Sequence, residues 1–556
     1  MKVYRLMLVI LLAVLISGLG ACTPAAPAAP AAEAPAAEAP AAEAPAAEAP
    51  PAEAPAEAPA AAEPTTLVMA MNMDDAVTFD PAIAGETTNL FVHNSTYDQL
   101  VVIKAENLGK IEPKLAESWE FNDELTEFTF KLRPGVKFAS GNEVTAEDVR
   151  FTYMRVFNMK AAASTNIEML ESVEVIDPLT VKFKLTAPTP QWLAVAANPS
   201  LGIQDSKLVK ENGGTDAADA DKTDTAKDWL DRNSAGSGPY VMTNWTPKAE
   251  IVFEANENYW GGKPYFDRVI IKHVSDPTTQ LQMLQRGDAD MIRSLDYDLV
   301  EQAEADDNLQ VVIGTSLDQN YLAMTSNPEI SEPLSNPTVR KAIAYAIDYD
   351  GIITAILRGY GTRAPSIIPV GLPGVDPNAV IKRDVEKAKE LLKEAGYENG
   401  FEENLHYGSN PTRETIAAKL KADLAEVGIT LNLTPMEQSV YLSEMRAQKL
   451  PMAFGGWTPD YLDVTMWTHF FSFPDTSIAF RMWYNSPKTV EIATAIESEM
   501  DEAKRIELTK QWQDQVMDDM PFLMLYQGQT ITALQKDIKG YAYHPVYFFN
   551  LADLSK

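Results

Sequence analysis

Residues 23–64 are almost wholly Ala, Pro and Glu, in repeats such as Ala-Ala-Glu-Ala-Pro, and this tract decides where a fold can begin. Alanine and glutamate favour helix. A proline about every five residues, however, removes an amide donor and clashes with the preceding turn. With no apolar periodicity the tract cannot bury a core, and it is expected to form an extended, semi-rigid spacer. At about 3.1 Å per residue it would reach roughly 130 Å in polyproline form. Whatever folds therefore lies in 65–556. Of the whole chain of 556 residues, 46% are apolar and 22% charged, which suits a soluble globular body of several units.

Ahead of the spacer, Lys2 and Arg5 precede the apolar run Leu6 to Ile16. That run is too short to cross a hydrocarbon layer of about 30 Å, so it reads as a secretory leader. It ends in Leu19-Gly20-Ala21-Cys22, which resembles a bacterial lipoprotein processing box. The resemblance implies cleavage before Cys22 and a diacylglycerol on its thiol. Cys22 is the single cysteine, so no intramolecular disulfide or cysteine-rich zinc site can form. The mature protein is expected outside the cytoplasm, tethered to the membrane in the periplasmic space or at the cell surface.

The net charge of −33 argues against a nucleic-acid partner, because phosphate backbones recruit basic patches. Removing the seven glutamates of the spacer and the two basic residues of the leader leaves −28 for the body. The acidity therefore belongs to the folded part, where it weakly favours cationic ligands.

The body mixes two periodicities. Phe128, Phe130 and Leu132 alternate with polar residues, as do Val181, Phe183 and Leu185, and period two predicts half-buried strands. Asp384 is placed to cap a helix through Leu391 and Leu392 that stops at Gly396. Ile416 to Val427 reads as a second helix, closed by Gly428, with Ile429, Leu431 and Leu433 as the strand after it. Asn336-Pro337 opens a helix carrying Ala342, Ile343, Ala346 and Ile347. Such alternation predicts α/β lobes.

Several catalytic signatures are missing. There is no phosphate-binding Gly-x-x-x-x-Gly-Lys-Ser/Thr loop; Gly261-Gly262-Lys263 runs into Pro264 and reads as a turn. There is no Gly-x-Ser-x-Gly elbow and no His-Glu-x-x-His pair. Asp216, Asp219, Asp221 and Asp224 look faintly like a calcium loop, but the central Gly and closing Glu are absent, so a solvated acidic loop is expected. Five scattered histidines make no local metal motif. No metal, no cofactor and no catalytic residues are expected. An extracellular hydrolase working through paired carboxylates stays open, as does a surface protein without a ligand.

Three blocks carry a further resemblance. Pro113-Lys114-Leu115-Ala116-Glu117-Ser118-Trp119-Glu120, then Phe128 to Phe138 and Val144-Thr145-Ala146-Glu147-Asp148-Val149, form the first. Gly236-Ser237-Gly238-Pro239-Tyr240 with Asn258-Tyr259-Trp260-Gly261-Gly262 is the second, and Val339-Arg340-Lys341-Ala342-Ile343 with Ala346-Ile347-Asp348 is the third. Together they resemble the bacterial family 5 extracellular solute-binding proteins, the oligopeptide- and dipeptide-binding receptors of ABC importers. The resemblance implies an α/β, two-lobed periplasmic-binding-protein fold with two hinge strands and an extra subdomain on the first lobe. Carried onto this chain, lobe I is 65–100, 186–316 and 527–556, the subdomain is 101–185, and lobe II is 317–526. The hinges fall near Leu317 to Gln319 and Tyr526 to Gln529.

Phe454-Gly455-Gly456-Trp457-Thr458-Pro459-Asp460-Tyr461 is the most informative segment for a site. Met452 to Phe454 reads as a strand end, and a loop there commonly carries ligand groups. Trp457 offers an apolar wall and Asp460 a carboxylate. Asp460 also stands where it would N-cap a helix over Tyr461 to Phe470. The resemblance implies that Asp460 meets a peptide's α-ammonium. It further implies that Ala84-Gly85-Glu86, hence Gly85 and Glu86, offers an edge to the peptide backbone, and that Arg413 meets the ligand carboxylate, for which its planar fork is suited. Asn320 and Tyr321 are further cleft candidates; Trp483 and Asn485 are weaker, and Trp467 reads as core. The expected function is a monomeric, lipid-anchored receptor, not an enzyme, that delivers peptides to a permease, with an oligosaccharide or a metal chelate as the alternative solute.

Overall fold

The computed structural model describes residues 65–474, 477–547 and 549–556. The leader, Cys22 and the spacer lie outside the described residues. Two long strands, Leu309–Met324 and Phe522–Gln535, organise the body. They run antiparallel at the centre of one eleven-stranded sheet.

On one side of this pair the sheet continues through Met291–Ile292, Thr66–Met71, Arg268–His273, Glu250–Ala255 and Tyr240–Thr246. On the other it continues through Met452–Trp457, Phe401–Gly408 and Ile429–Met436. Each half has its own core. Leu67, Met69, Ile251, Phe253, Val269 and Ile271 pack in the first; Leu322, Met324, Ile343, Leu420, Leu431 and Met452 pack in the second. The result is a mixed α/β protein of two lobes.

The ladder between the long strands is interrupted twice near mid-length, widely between Thr315 and Gln319 and again between Asn320 and Tyr321, where Leu525 is skipped. Leu309 to Thr315 pair with Gln535 to Gln529, and pairing resumes at Gln319 with Gln527. Ser316, Leu317 and Asp318 thus face Gly528 alone, a bulged arrangement that bends a strand and re-aims its side chains. Side chains satisfy part of the freed backbone. The Gln527 amide donates to the Ser316 and Val370 carbonyls at 2.7 and 3.0 Å and accepts from the Val370 N–H at 2.9 Å. The Ser316 hydroxyl donates to Gly528 O at 3.1 Å.

Beside the first lobe stands a four-stranded antiparallel sheet, in the order Ala116–Phe121, Glu127–Leu132, Thr180–Leu185, Leu170–Asp177. Phe128, Phe130, Val181 and Phe183 face its core in period two, with Phe128 opposite Phe183. Helix Ala146–Met159 covers it, opened by a reciprocal cap between Thr145 and Asp148.

The helix start signals hold. Asp384 caps Val385–Glu394 by accepting from Lys387 N at 2.9 Å, and Asn336 caps Pro337–Ala346. The helix expected from Ile416 begins earlier, at Pro411, because Asn410 accepts from Arg413 N at 2.8 Å and the proline fits the first turn. The helix expected over Tyr461 to Phe470 shrinks to Thr465–Thr468. Asp463, not Asp460, binds its Thr465 N–H, at 2.9 Å, and is clamped by Arg505 at 2.6 and 2.8 Å.

The acidic loop is also different from expectation. Asp224 is buried, and Asp216 and Asp221 pair with Arg150 and Lys160. Arg155, itself fully buried, donates to both oxygens of Asp80 at 2.7 and 2.6 Å and to both of Asp224 at 2.8 and 3.0 Å. One guanidinium neutralises two buried acids and ties the helix to two distant loops. Replacing it strands both carboxylates. Arg155→Met is therefore expected to lower unfolding stability by about 3–5 kcal/mol, measured as a fall in the urea midpoint. A loss below about 1 kcal/mol, the ceiling for an exposed pair, would show that the network is not what holds this loop.

Candidate functional site

Between the lobes lies a cavity of about 680 Å³, within the range of roughly 300–1,000 Å³ common for small-ligand sites. Its first-lobe wall includes Ala84, Gly85, Asn166, Asn198 and Ser200; its second-lobe wall includes Trp457, Asp460, Phe470, Phe473 and Arg481. Strand Met452–Trp457, held against Leu309–Met324 from Met324↔Met452 to Gln319↔Trp457, delivers the Trp457–Asp460 loop to the cavity mouth. Gly455 sits opposite Tyr321, whose ring fills the space that a Cβ there would need.

Trp457 stands on Phe470, ring centroids 4.9 Å apart, and edge-on to Phe471 at 5.9 Å. The three rings make an apolar wall, and the buried Trp457 Nε1 has no hydrogen-bond partner among the described residues. Asp460 is half-buried. Burial pushes its carboxyl up from 3.8 to about 6, and only the Asn166 side chain, from the opposite wall, favours the charged form. Burial, and after it the Asp460 carboxylate, holds the nearby Tyr547 phenol far above its ordinary range. At the hinge break, burial also raises Asp318, against the Thr458 and Ser316 hydroxyls.

Of the residues expected from sequence, the structure brings Gly85, Trp457 and Asp460 to one cavity. Gly85 has to be glycine, since a Cβ would lie 2.6 Å from that of Ala162. Glu86 turns back, its carboxylate accepting from the Gly85 N–H at 3.1 Å. Arg413, Asn320 and Tyr321 gather elsewhere, around a crevice of about 10 Å³, room for roughly one water. Tyr321 is buried core, edge-on to Phe471 and Phe522. Trp467 is core too, while Trp483 and Asn485 lie exposed, the former donating to Gln448 O at 3.1 Å.

Sequence reasoning missed Asn166 and Arg481, since neither sits in a motif and only folding carries them to the cavity. A second cavity of about 520 Å³ lies across the 457–464 segment, among Leu317, Val370, Leu462 and Ile506. Its Asp463–Arg505 pair is already closed, so it presents mainly apolar surface. No group of three or more His, Cys, Asp or Glu fit to hold a metal occurs among the described residues, and no helix there is long and apolar enough to cross a membrane.

A cleft between two lobes joined by continuous strands, with a charge waiting in it, defines a binding protein. The sequence model of the bacterial extracellular solute-binding proteins, family 5 middle region, matches residues 110–477. The chain belongs to that family: it is a solute-binding receptor for ABC transport that acts outside the cytoplasm, and it is not an enzyme. It is 27% identical over 504 residues to the probable D,D-dipeptide-binding periplasmic protein DdpA of Escherichia coli (strain K12), covering 89% of this chain and 95% of that one. It is 29% identical over 504 residues to heme-binding protein A of Haemophilus influenzae, covering 84% and 88%. The periplasmic binding protein DppA of Helicobacter pylori, solved with the peptide STSA, superposes with a TM-score of 0.74 at 26% identity, over 88% of this chain and 97% of that one.

The raised Asp460 fixes a sign. The folded protein holds the proton more tightly than the unfolded chain, so Asp460 favours folding most below about pH 4 and loses that contribution as pH rises through about 6. Asp460→Asn lacks this titration, while Glu168 and His469, which line the same cavity, are common to both proteins. The variant is expected to be the more stable above pH 6, with the gap closing towards pH 4 in urea midpoints taken across that range. A gap independent of pH would show that Asp460 is not held out of water.

Proposed function

We propose that this chain is a lipid-anchored, monomeric receptor that captures short peptides between its lobes and hands them to the permease of an ABC importer. One observation carries the ligand class: Asp460 lies in a lined cavity beside an aromatic wall, and among the described residues only the Asn166 amide favours its charged form. A ligand's α-ammonium would supply the missing charge, and a buried carboxylate without a partner is costly. The dipeptide- and peptide-binding relatives support this reading. The heme-binding relative is a reminder that similar chains serve other solutes, and an oligosaccharide or metal chelate is the alternative.

In this reading lobe I is 65–100, 186–316 and 527–556, with 101–185 as its subdomain, and lobe II is 317–526. The lobes close about the break at Ser316–Asp318 and Gly528, because a receptor that reports occupancy needs two distinguishable states. Gly85 and Asn166 then meet a ligand already resting on Trp457 and Asp460.

Asp460→Asn keeps the shape and removes the charge. Removing one partner of a buried pair costs about 3–5 kcal/mol, so peptide affinity is expected to fall roughly 100-fold to several thousand-fold by calorimetry. N-acetylated peptide should bind the wild type poorly and lose little more in the variant. A coupling energy near zero in this cycle would remove Asp460 from the ligand. Peptide, sugar and metal-chelate pools compared by thermal shift separate the alternative solutes.

The anchor rests on Leu19-Gly20-Ala21-Cys22. Cys22→Ala is expected to release the protein from the membrane fraction and to abolish labelling by a radioactive fatty acid. Retained lipid on the variant would refute the anchor.

A further inference from the structure

Arg481, at the end of the short helix Ser477–Arg481, lines the same cavity as Asp460 and Trp457. It forms no ion pair among the described residues, and its Nε is buried without a hydrogen-bond partner. Burial pulls its guanidinium below the usual range and the neighbouring Arg446 adds to the pull, while the Tyr321 and Tyr441 phenols offset part of it. Several other arginines are already engaged. Arg505 is closed on Asp463, Arg155 on Asp80 and Asp224, and Arg340 donates to the Leu334 and Asp519 carbonyls. Arg413 faces a crevice of about 10 Å³, which no carboxylate enters without rearrangement.

A guanidinium that is partly desolvated, unpaired and turned to a ligand-sized space is a preformed anion site. Its planar fork matches a carboxylate with two parallel hydrogen bonds. Among the described residues no ion pair joins it to Asp460, so this base and that acid face the same cavity, which Glu168 and His469 also line, without meeting each other.

We propose that Arg481 receives the terminal carboxylate of the ligand whose ammonium rests on Asp460, so that the cavity selects short peptides with both ends free. This rests on the peptide reading above and adds the second charge and the residue that holds it. It also moves the carboxylate contact from Arg413, where the family resemblance put it, to a residue on the wall that already carries Asp460. Both charges then belong to the second lobe. The ligand docks there as a zwitterion before Gly85 and Asn166 close over it.

The test uses pools of tri- and tetrapeptides, each made with a free and an amidated C-terminus, on the full mature protein. The wild type is expected to prefer the free acid by at least about thirtyfold, the scale of losing one partner of a buried charge pair. Arg481→Gln should lose that preference by weakening only the free acid, and Arg481→Lys should keep part of it. Thermal melts without ligand confirm that each variant is folded. If the Arg481→Gln preference survives, or if both peptide forms weaken equally, the proposal is overturned. A preference lost in Arg413→Gln and kept in Arg481→Gln assigns the carboxylate to Arg413 and overturns it as well. Peptides that bind regardless of C-terminal charge but still need Asp460 would sink Arg481 and leave the peptide reading standing. Peptides that bind in neither form would sink both.

Discussion

The strands Leu309–Met324 and Phe522–Gln535 belong to both lobes, and the wider of the two faults in their ladder lies where the lobes are joined. Backbone hydrogen bonds of an antiparallel pair resist shear, so two lobes sharing an unbroken pair would move as one block. Here Ser316, Leu317 and Asp318 oppose Gly528 alone, and part of the released backbone is met by the side chains of Gln527 and Ser316. Side-chain bonds can reorient where ladder bonds cannot. In the hinged reading proposed above, bending concentrates at this fault, where these side chains meet part of the backbone's hydrogen-bonding need. Asp318, within the fault, is steadied by Ser316 and by Thr458 of the site loop, so the bend and the loop share a contact.

The same register fixes the site. Tyr321 opposite Gly455 and Gln319 opposite Trp457 set how far the Met452–Trp457 strand advances before the chain turns to Asp460. A side chain at 455 would collide with the Tyr321 ring and push that strand out of line. Tyr321 thus shapes the cleft from within the core rather than from its surface. The clamp of Arg505 on Asp463 then stops the following segment from winding into a longer helix, leaving Asp460 on a loop that faces the opposite lobe.

Much of the fold is legible in the sequence, because strand alternation and helix caps are local. Phe128-x-Phe130 and Val181-x-Phe183 carry their partnering in period two, and Asp384 and Asn336 mark helix starts by side-chain geometry alone, whereas the start at Asn410 is legible only once its cap is seen. Trp457 and Asp460 are legible for a related reason: they follow a strand end, where chain and sheet direction converge. The misreadings are non-local. Asp224 looks like a solvated acid until Arg155, sixty-nine positions away, is folded onto it. Asp460 looks like a cap until Asp463 takes the amide. Arg481 carries no local signal, and only folding shows that it lines the cavity while Arg413 faces the small crevice.

The charges in the cleft carry a thermodynamic consequence. A carboxyl raised to about 6 and a guanidinium held below its usual range are both groups the folded protein would rather keep in water. They make the empty cleft less stable than an apolar one of the same shape. In the reading proposed above, that cost is recovered by a solute that presents opposite charge to both. Differential affinity for the closed state then comes from charge as well as from the Trp457–Phe470 wall. A ligand can shift an equilibrium only by the difference in its affinity for the two states, so in the reading proposed above lobe closure reports the ligand's charge pattern, while its side chains need only fit.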